Sequence, residues 1–108
     1  MAKTADILGL LTMCRRAGKL ILGMDEVKSA CRAGKARGVL VAVDLSPKSR
    51  KEAAFVCEEY DVPLYEGGVT MEQIGASLGK VYGVMAIADA GFMKSAAKKL
   101  AQTKEPLK

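Results

Sequence analysis

Two adjacent carboxylates, Asp25 and Glu26, open a helical stretch, GMDEVKSACRAG at 23–34, within the most basic part of the chain. Acids in a helix's first turn complement the macrodipole for about 0.3–1 kcal/mol each, in any protein. Taken alone, that is the better account of the pair. Other chemistry is scarce. The sequence has no His, no CxxC and no GxSxG, so the usual nucleophile-and-base arrangements are missing. AGKL and GKARG resemble phosphate loops but lack the spacing GxxxxGK followed by Ser or Thr. Asp44, Glu66 and Asp89 follow strand-like runs and read as caps or turn formers rather than acids, bases or magnesium ligands. Cys14, Cys31 and Cys57 are odd in number and have no His beside them, which argues against a disulfide framework and against zinc. They read as small buried hydrophobes in a reducing cytoplasm. No enzyme activity, cofactor or metal is expected.

The charge is unevenly placed. Residues 1–51 carry eleven Lys/Arg against four Asp/Glu, residues 52–90 one against seven, and residues 91–108 five against one, which sum to the net +5. A basic balance of this kind fits an acidic partner, nucleic acid being the commonest. Near such a partner a carboxylate is useful in one way. It accepts hydrogen bonds from an exposed base edge, such as guanine N1–H and N2–H₂, a contact that backbone charge cannot imitate.

These residues need a scaffold, and 108 residues supply one domain with a small core. Apolar residues at helical spacing over Thr4–Arg16 (Ile7, Leu8, Leu11, Met13/Cys14) predict a helix ended by Ala17-Gly18. KLIL (19–22) predicts a short strand, and Gly23 separates it from a helix over Met24–Ala33 with Val27, Ala30 and Cys31 inward. GVLVAV (38–43) and GVMAIA (83–88) are continuous apolar runs, as in strands covered on both faces. Between them, Ser46-Pro47 caps a helix reaching about Asp61, VPLY (62–65) is a short strand, and Thr70-x-x-Gln73 is a capping box for a helix closed by Gly79. A last helix is expected over Phe92–Gln102, with Thr103–Lys108 frayed. This alternation predicts a three-layer α/β/α sandwich. No apolar run approaches the ~18–20 residues of a membrane span, and the opening apolar segment is too short for a signal peptide, so the expected location is the cytoplasm.

One short repeat stands out: Arg16-Ala17-Gly18-Lys19 recurs as Arg32-Ala33-Gly34-Lys35. Each copy follows a predicted helix and precedes a strand. Either it is a duplicated phosphate clamp, or Gly at a helix end followed by a dipole-compensating Lys accounts for both.

GMDEVKSACRAG followed by GVLVAVDLSP, CEEYDVPLY and IGASLGKVYGVMAIAD resembles the L7Ae/L30e superfamily of ribosomal proteins that bind kink-turn RNA, and LGLLTMCRRAGKLILG is similar to its bacterial branch. The resemblance covers about residues 5–90. It implies a mixed four-stranded sheet within the sandwich, and recognition of a sharply bent helix–internal-loop–helix RNA with tandem sheared G·A pairs. In that family a Gly-x-Asn-Glu-x-x-Lys segment enters the groove at those pairs. Here Gly23 matches the Gly, Met24 the x, Asp25 stands where Asn is common, and Glu26 matches the guanine-reading Glu. The family's Lys falls on Ser29, with Lys28 one position earlier. One residue is ~100° around a helix, so Lys28 is placed for backbone rather than for the same base edge. The family's loop before the last strand, which cradles a flipped-out nucleotide, falls on Lys80, Val81 and Tyr82. It is shorter here, and Ala76 replaces a Lys common in the preceding helix.

The expected function is therefore a cytoplasmic, monomeric, ribosome-associated binder of structured RNA. Asp25 and Glu26 would accept from guanine edges, Lys19, Lys28 and Arg32 would contact phosphates, and Lys80–Tyr82 would cover a looped-out base. The rival is a protein-interaction adaptor on the same fold, docking through Glu58, Glu59 and Asp61, with only weak non-specific RNA binding.

Overall fold

The alternation of strand and helix runs through residues 2–102, the residues that the computed structural model describes. The elements in order are α1 (Ala2–Arg16), β1 (Leu20–Leu22), α2 (Met24–Arg32), β2 (Gly38–Val41), α3 (Pro47–Tyr60), β3 (Leu64–Glu66), α4 (Met71–Leu78), β4 (Val84–Ile87), α5 (Ala90–Lys99) and β5 (Ala101–Gln102). The sheet order is β1-β4-β2-β3-β5. β2 and β3 are parallel and the other pairings antiparallel, so the sheet is mixed.

The two continuous apolar runs form the centre of the sheet, β2 and β4, with every residue buried. Successive side chains alternate between faces, as a strand requires. Leu40, Ala42, Met85 and Ile87 pack with Ile7, Leu10, Leu11 and Cys14 of α1, Ile74 and Leu78 of α4, and Met93 and Ala96 of α5. Val39, Val41, Val84 and Ala86 pack on the other face with Val27, Ala30 and Cys31 of α2 and Ala53, Val56 and Cys57 of α3. The result is helices, sheet, helices: the expected three-layer sandwich.

Local chemistry sets the boundaries. Ser46 Oγ accepts from Ser49 N–H at 3.3 Å with Pro47 opening α3, and Thr70 and Gln73 form a reciprocal capping box on α4. Asp89 Oδ2 accepts from Phe92 N–H at 2.9 Å and starts α5 two residues before the expected Phe92. The same helix also ends early. Leu100 is extended (φ −120°, ψ 159°), and Ala101 and Gln102 pair with Glu66 and Tyr65 as β5. The edge of β3 offers unpaired backbone groups, and two residues taken from the expected helix satisfy them. Along α1 the inward stripe is Ile7, Leu10, Leu11 and Cys14, while Met13 is 55% exposed. The 3.6-residue period allows Cys14 inward beside Leu10 and Leu11 but turns Met13 out. The tail Thr103–Lys108 lies outside the described residues.

Candidate functional site

The sheet has two ends that matter separately. The upper end is where β1, β2 and β3 finish and β4 begins: Gly23 N–H donates to Val84 O at 3.0 Å, and Ala42 N–H to Gly83 O at 2.9 Å. The lower end is where β4 finishes: Ala88 N–H donates to Lys19 O at 2.8 Å, and Arg37 N–H to Ile87 O at 2.8 Å.

At the upper end, Gly23 has φ 95° and ψ 150°, a region that essentially only glycine occupies. It turns the chain directly from β1 into α2 and offers no side chain as a cap. Val27 N–H returns to Gly23 O at 2.9 Å, so the N–H groups of Met24, Asp25 and Glu26 are left without an intrahelical acceptor. Asp25 and Glu26 are exposed, and neither side chain has an ion-pair or hydrogen-bond partner among the described residues. Helix α2 therefore ends in open donors and open acceptors within one turn.

The loop 79–83 reaches the same end. It leaves α4 at Gly79 (φ 85°), lies along that helix and enters β4 at Gly83. A Cβ on Gly75 would stand 2.9 Å from Val81 Cγ2, so the loop rests directly on α4. A Cβ on Gly83 would stand 2.5 Å from Leu45 Cδ1 and 3.1 Å from Met71 Sδ. Tyr82 is half-buried against the core beneath α1, α4 and α5, Lys80 is exposed and Val81 is 60% exposed.

A third segment, 42–45, completes this end, and sequence reasoning missed it. The strand-like run 38–43 forms a strand only to Val41, which leaves Val43 48% exposed in the following turn. Its geometry is fixed on three sides. Val43 N–H donates to Val69 O at 2.9 Å, and Asp44 Oδ1 accepts from Met71 N–H at 2.9 Å. Arg50 binds Glu66 through both nitrogens (2.5 and 2.9 Å) and donates to the Ala42 and Val43 carbonyls at 3.1 and 3.4 Å. The signal was present in the Asp44 turn former, which must reverse the chain before Ser46. The three carboxylates after strands thus all hold structure: Asp44 and Asp89 serve helix N-termini, and Glu66 pairs with Arg50.

Not every predicted site residue gathers here. Ser29 is exposed on α2, one turn below Glu26. Lys28 leans sideways and forms an ion pair with Glu52 of α3. Lys19 and Arg32 lie at the lower end: Lys19 is four residues before Gly23 along β1, about 13 Å by strand rise, and Arg32 closes a helix about 12 Å long that begins at Met24. The residues expected to contact phosphates therefore fall into two groups, Lys28 in the body of α2 and Lys19 and Arg32 at the lower end of the sheet.

The thiols take no part. Burial pushes Cys57 up to about 12, with Cys31 adding to it, and Cys14 up to about 11, with Asp89 adding to it; burial raises Cys31 as well. No group of three His, Cys, Asp or Glu among the described residues is placed to hold a metal ion. No described helix is long and apolar enough to cross a membrane.

Residues 5–97 match the sequence profile of the ribosomal protein L7Ae/L30e/S12e/Gadd45 family. The chain belongs to this family. It is 34% identical over 87 residues to the RNA-binding protein YlxQ of Enterococcus faecium, covering 81% of this chain and 84% of that one. It is 28% identical over 83 residues to the large ribosomal subunit protein eL30 of Neurospora crassa, covering 75% and 76%. A solved structure from Bacillus halodurans, described as a protein with unknown function, superposes with a TM-score of 0.79 at 28% identity over 86% of this chain and 94% of that one. A Giardia lamblia 15.5kD RNA binding protein shares the fold, with a TM-score of 0.69 at 19% identity over 92% and 85%. Within the L7Ae/L30e fold, the upper end of this chain joins the α2 start, the loop 79–83 and the turn 42–45 into one surface.

Proposed function

We infer that this L7Ae/L30e-family chain is a non-catalytic binder of structured RNA that recognises kink-turns through the upper end of its sheet, as a cytoplasmic monomer that associates with ribosomes. One observation carries the reading: the Gly23–Val84 hydrogen bond holds an uncapped α2 N-terminus, with free Asp25 and Glu26, beside the loop containing Lys80, Val81 and Tyr82. Relatives named as RNA-binding and ribosomal proteins support the partner class.

The division of labour follows from chemistry. The Glu26 carboxylate accepts from the N1–H and N2–H₂ of a guanine in a sheared G·A pair, and Asp25 from a neighbouring edge. The Met24, Asp25 and Glu26 amides and the positive end of the helix dipole offset the repulsion between these acids and nearby phosphates. Lys28 contacts a phosphate once it exchanges Glu52 for RNA, and Ser29 leaves the family's usual Lys contact unmade. Val81 and Tyr82 provide an apolar surface, and Val43 a second one, for a base turned out of the stack. Lys80 meets that nucleotide's phosphate.

The test is Glu26→Ala on two RNAs of equal length, one kink-turn and one plain duplex. A loss of about 10- to 100-fold on the kink-turn with little change on the duplex supports base reading, because a good base-edge contact contributes about 1–3 kcal/mol of discrimination. Equal loss on both RNAs refutes it.

A further inference from the structure

The lower end of the sheet carries the sequence echo, and the two copies are the same local structure. In the first, Ala17 N–H donates to Met13 O (3.0 Å), Gly18 to Arg15 O (2.9 Å) and Lys19 to Cys14 O (2.9 Å). In the second, Ala33 donates to Ser29 O (3.0 Å), Gly34 to Cys31 O (3.1 Å) and Lys35 to Ala30 O (2.8 Å). The glycines have φ of 74° and 75°. Each loop closes its helix by returning amides to the last carbonyls, which accounts for both glycines.

The cationic side chains take no part in closing either helix. Arg16, Lys19, Arg32 and Lys35 are exposed, and none has an ion pair or side-chain hydrogen bond among the described residues. The helix-closing amides already satisfy the carbonyls that a terminal Lys or Arg would otherwise serve. The topology then places the two loops symmetrically. One enters β1 and the other β2, and these are the two strands that flank β4. Lys19 O and Arg37 N–H clasp the last residues of β4 from either side, so the loop backbones stand about 10 Å apart across the sheet. Exposed Arg37 lies at the second loop. Among the described residues the acids near this end are Asp89, which caps α5, and Glu58, Glu59 and Asp61, which lie at the close of α3. Between β1 and β2 the surface is cationic.

We propose that the paired Arg-Ala-Gly-Lys loops are a second RNA-binding surface, taking the phosphate backbone of a helical RNA segment other than the one read at the upper end. A pair of cationic loops about 10 Å apart can meet phosphates several positions apart along one strand of an A-form helix. The loops present only Arg, Ala, Gly and Lys, whose side chains accept no hydrogen bonds from base edges, so they contribute affinity and salt dependence without sequence choice. Placed about 13 Å from Gly23 along β1, it makes the protein a bridge between two RNA segments. This rests on the kink-turn reading for its first segment, while the second surface stands or falls separately.

The experiment uses the full chain and a variant carrying Arg16→Gln, Lys19→Gln, Arg32→Gln and Lys35→Gln, with the glycines retained and thermal unfolding checked to match. The chain is first saturated with a short unlabelled kink-turn RNA, then titrated with a labelled duplex RNA at about 50 mM salt. The proposal expects a ternary complex with the natural chain and none with the variant. On duplex alone the variant's log–log salt slope falls by about three, so that going from about 50 to 200 mM salt costs it about 60-fold less affinity than it costs the natural chain. Kink-turn selectivity is retained by the variant. A duplex that displaces the kink-turn, or an unchanged slope, overturns the proposal. So does binding to phosphatidylserine vesicles without binding to duplex. If the natural chain shows no kink-turn preference, the upper-end reading fails, and the duplex slope alone still decides the lower end.

Discussion

At the upper end of the sheet the exposed acids Asp25 and Glu26, without side-chain partners among the described residues, are set near exposed Val43, Lys80 and Val81; at the lower end the two Arg-Ala-Gly-Lys loops present Arg16, Lys19, Arg32 and Lys35, likewise without partners among the described residues. The same helix, α2, contributes to both, with its acids at the start and Arg32 at the finish. On the proposed RNA-binding reading, the difference separates choice from affinity. Acids near a polyanion are unfavourable unless they are hydrogen-bonded to bases, so they confer choice. Cations release counterions from any backbone, so they confer affinity.

Substitutions can remove both ends together or one at a time. Leu40→Ala, in the centre of the sheet, is expected to have the largest effect, about 2–5 kcal/mol of stability in a urea titration, with binding at both ends falling in proportion to the unfolded fraction. Gly23→Ala forces a side chain onto φ 95° at a strain of about 1–3 kcal/mol. It should impair kink-turn binding while leaving duplex binding intact at temperatures where the variant remains folded, because the lower end does not contain Gly23.

Alkaline pH separates the core from both ends. The Cys57 and Cys14 thiols have folded values raised to about 12 and about 11 from 9.0. A raised value means that the unfolded chain releases these protons first, so stability is complete below pH 9 and declines as pH rises toward 11 to 12. Urea midpoints compared at pH 8 and pH 10.5 should show the decline, and Cys57→Ala should flatten it. The smallest effect is local. Glu52→Gln releases Lys28 from an exposed pair of about 0.2–1 kcal/mol, so duplex affinity should rise two- to threefold with kink-turn selectivity unchanged.

Much of the fold was legible because its signals are local. The buried runs at 38–43 and 83–88, the Thr70–Gln73 capping box and Ser46-Pro47 each specify their own element. Tertiary context decided the exceptions. Ala101 and Gln102 carry no strand signal and pair only because β3 presents a free edge. Val43 continues an apolar run in sequence but leaves the sheet where Asp44 and Arg50 fix a turn. The site was legible in composition and not in assembly. Gly23, Asp25, Glu26 and the loop 79–83 stand at the same end of the sheet, with Gly23 bonded to Val84 just after the loop, but Lys19 and Arg32, close to them in sequence, are carried to the opposite end by one strand and one helix.

The most direct test of choice at the upper end uses the natural chain at about 150 mM salt. It compares a kink-turn RNA with the same RNA in which both sheared G·A pairs are replaced by Watson–Crick pairs. At about 1–3 kcal/mol for each altered pair, a preference of about 30-fold or more is expected, and it persists at this salt. Equal binding to the two RNAs, lost between about 50 and 200 mM salt, would contradict it, because only counterion release would then be acting.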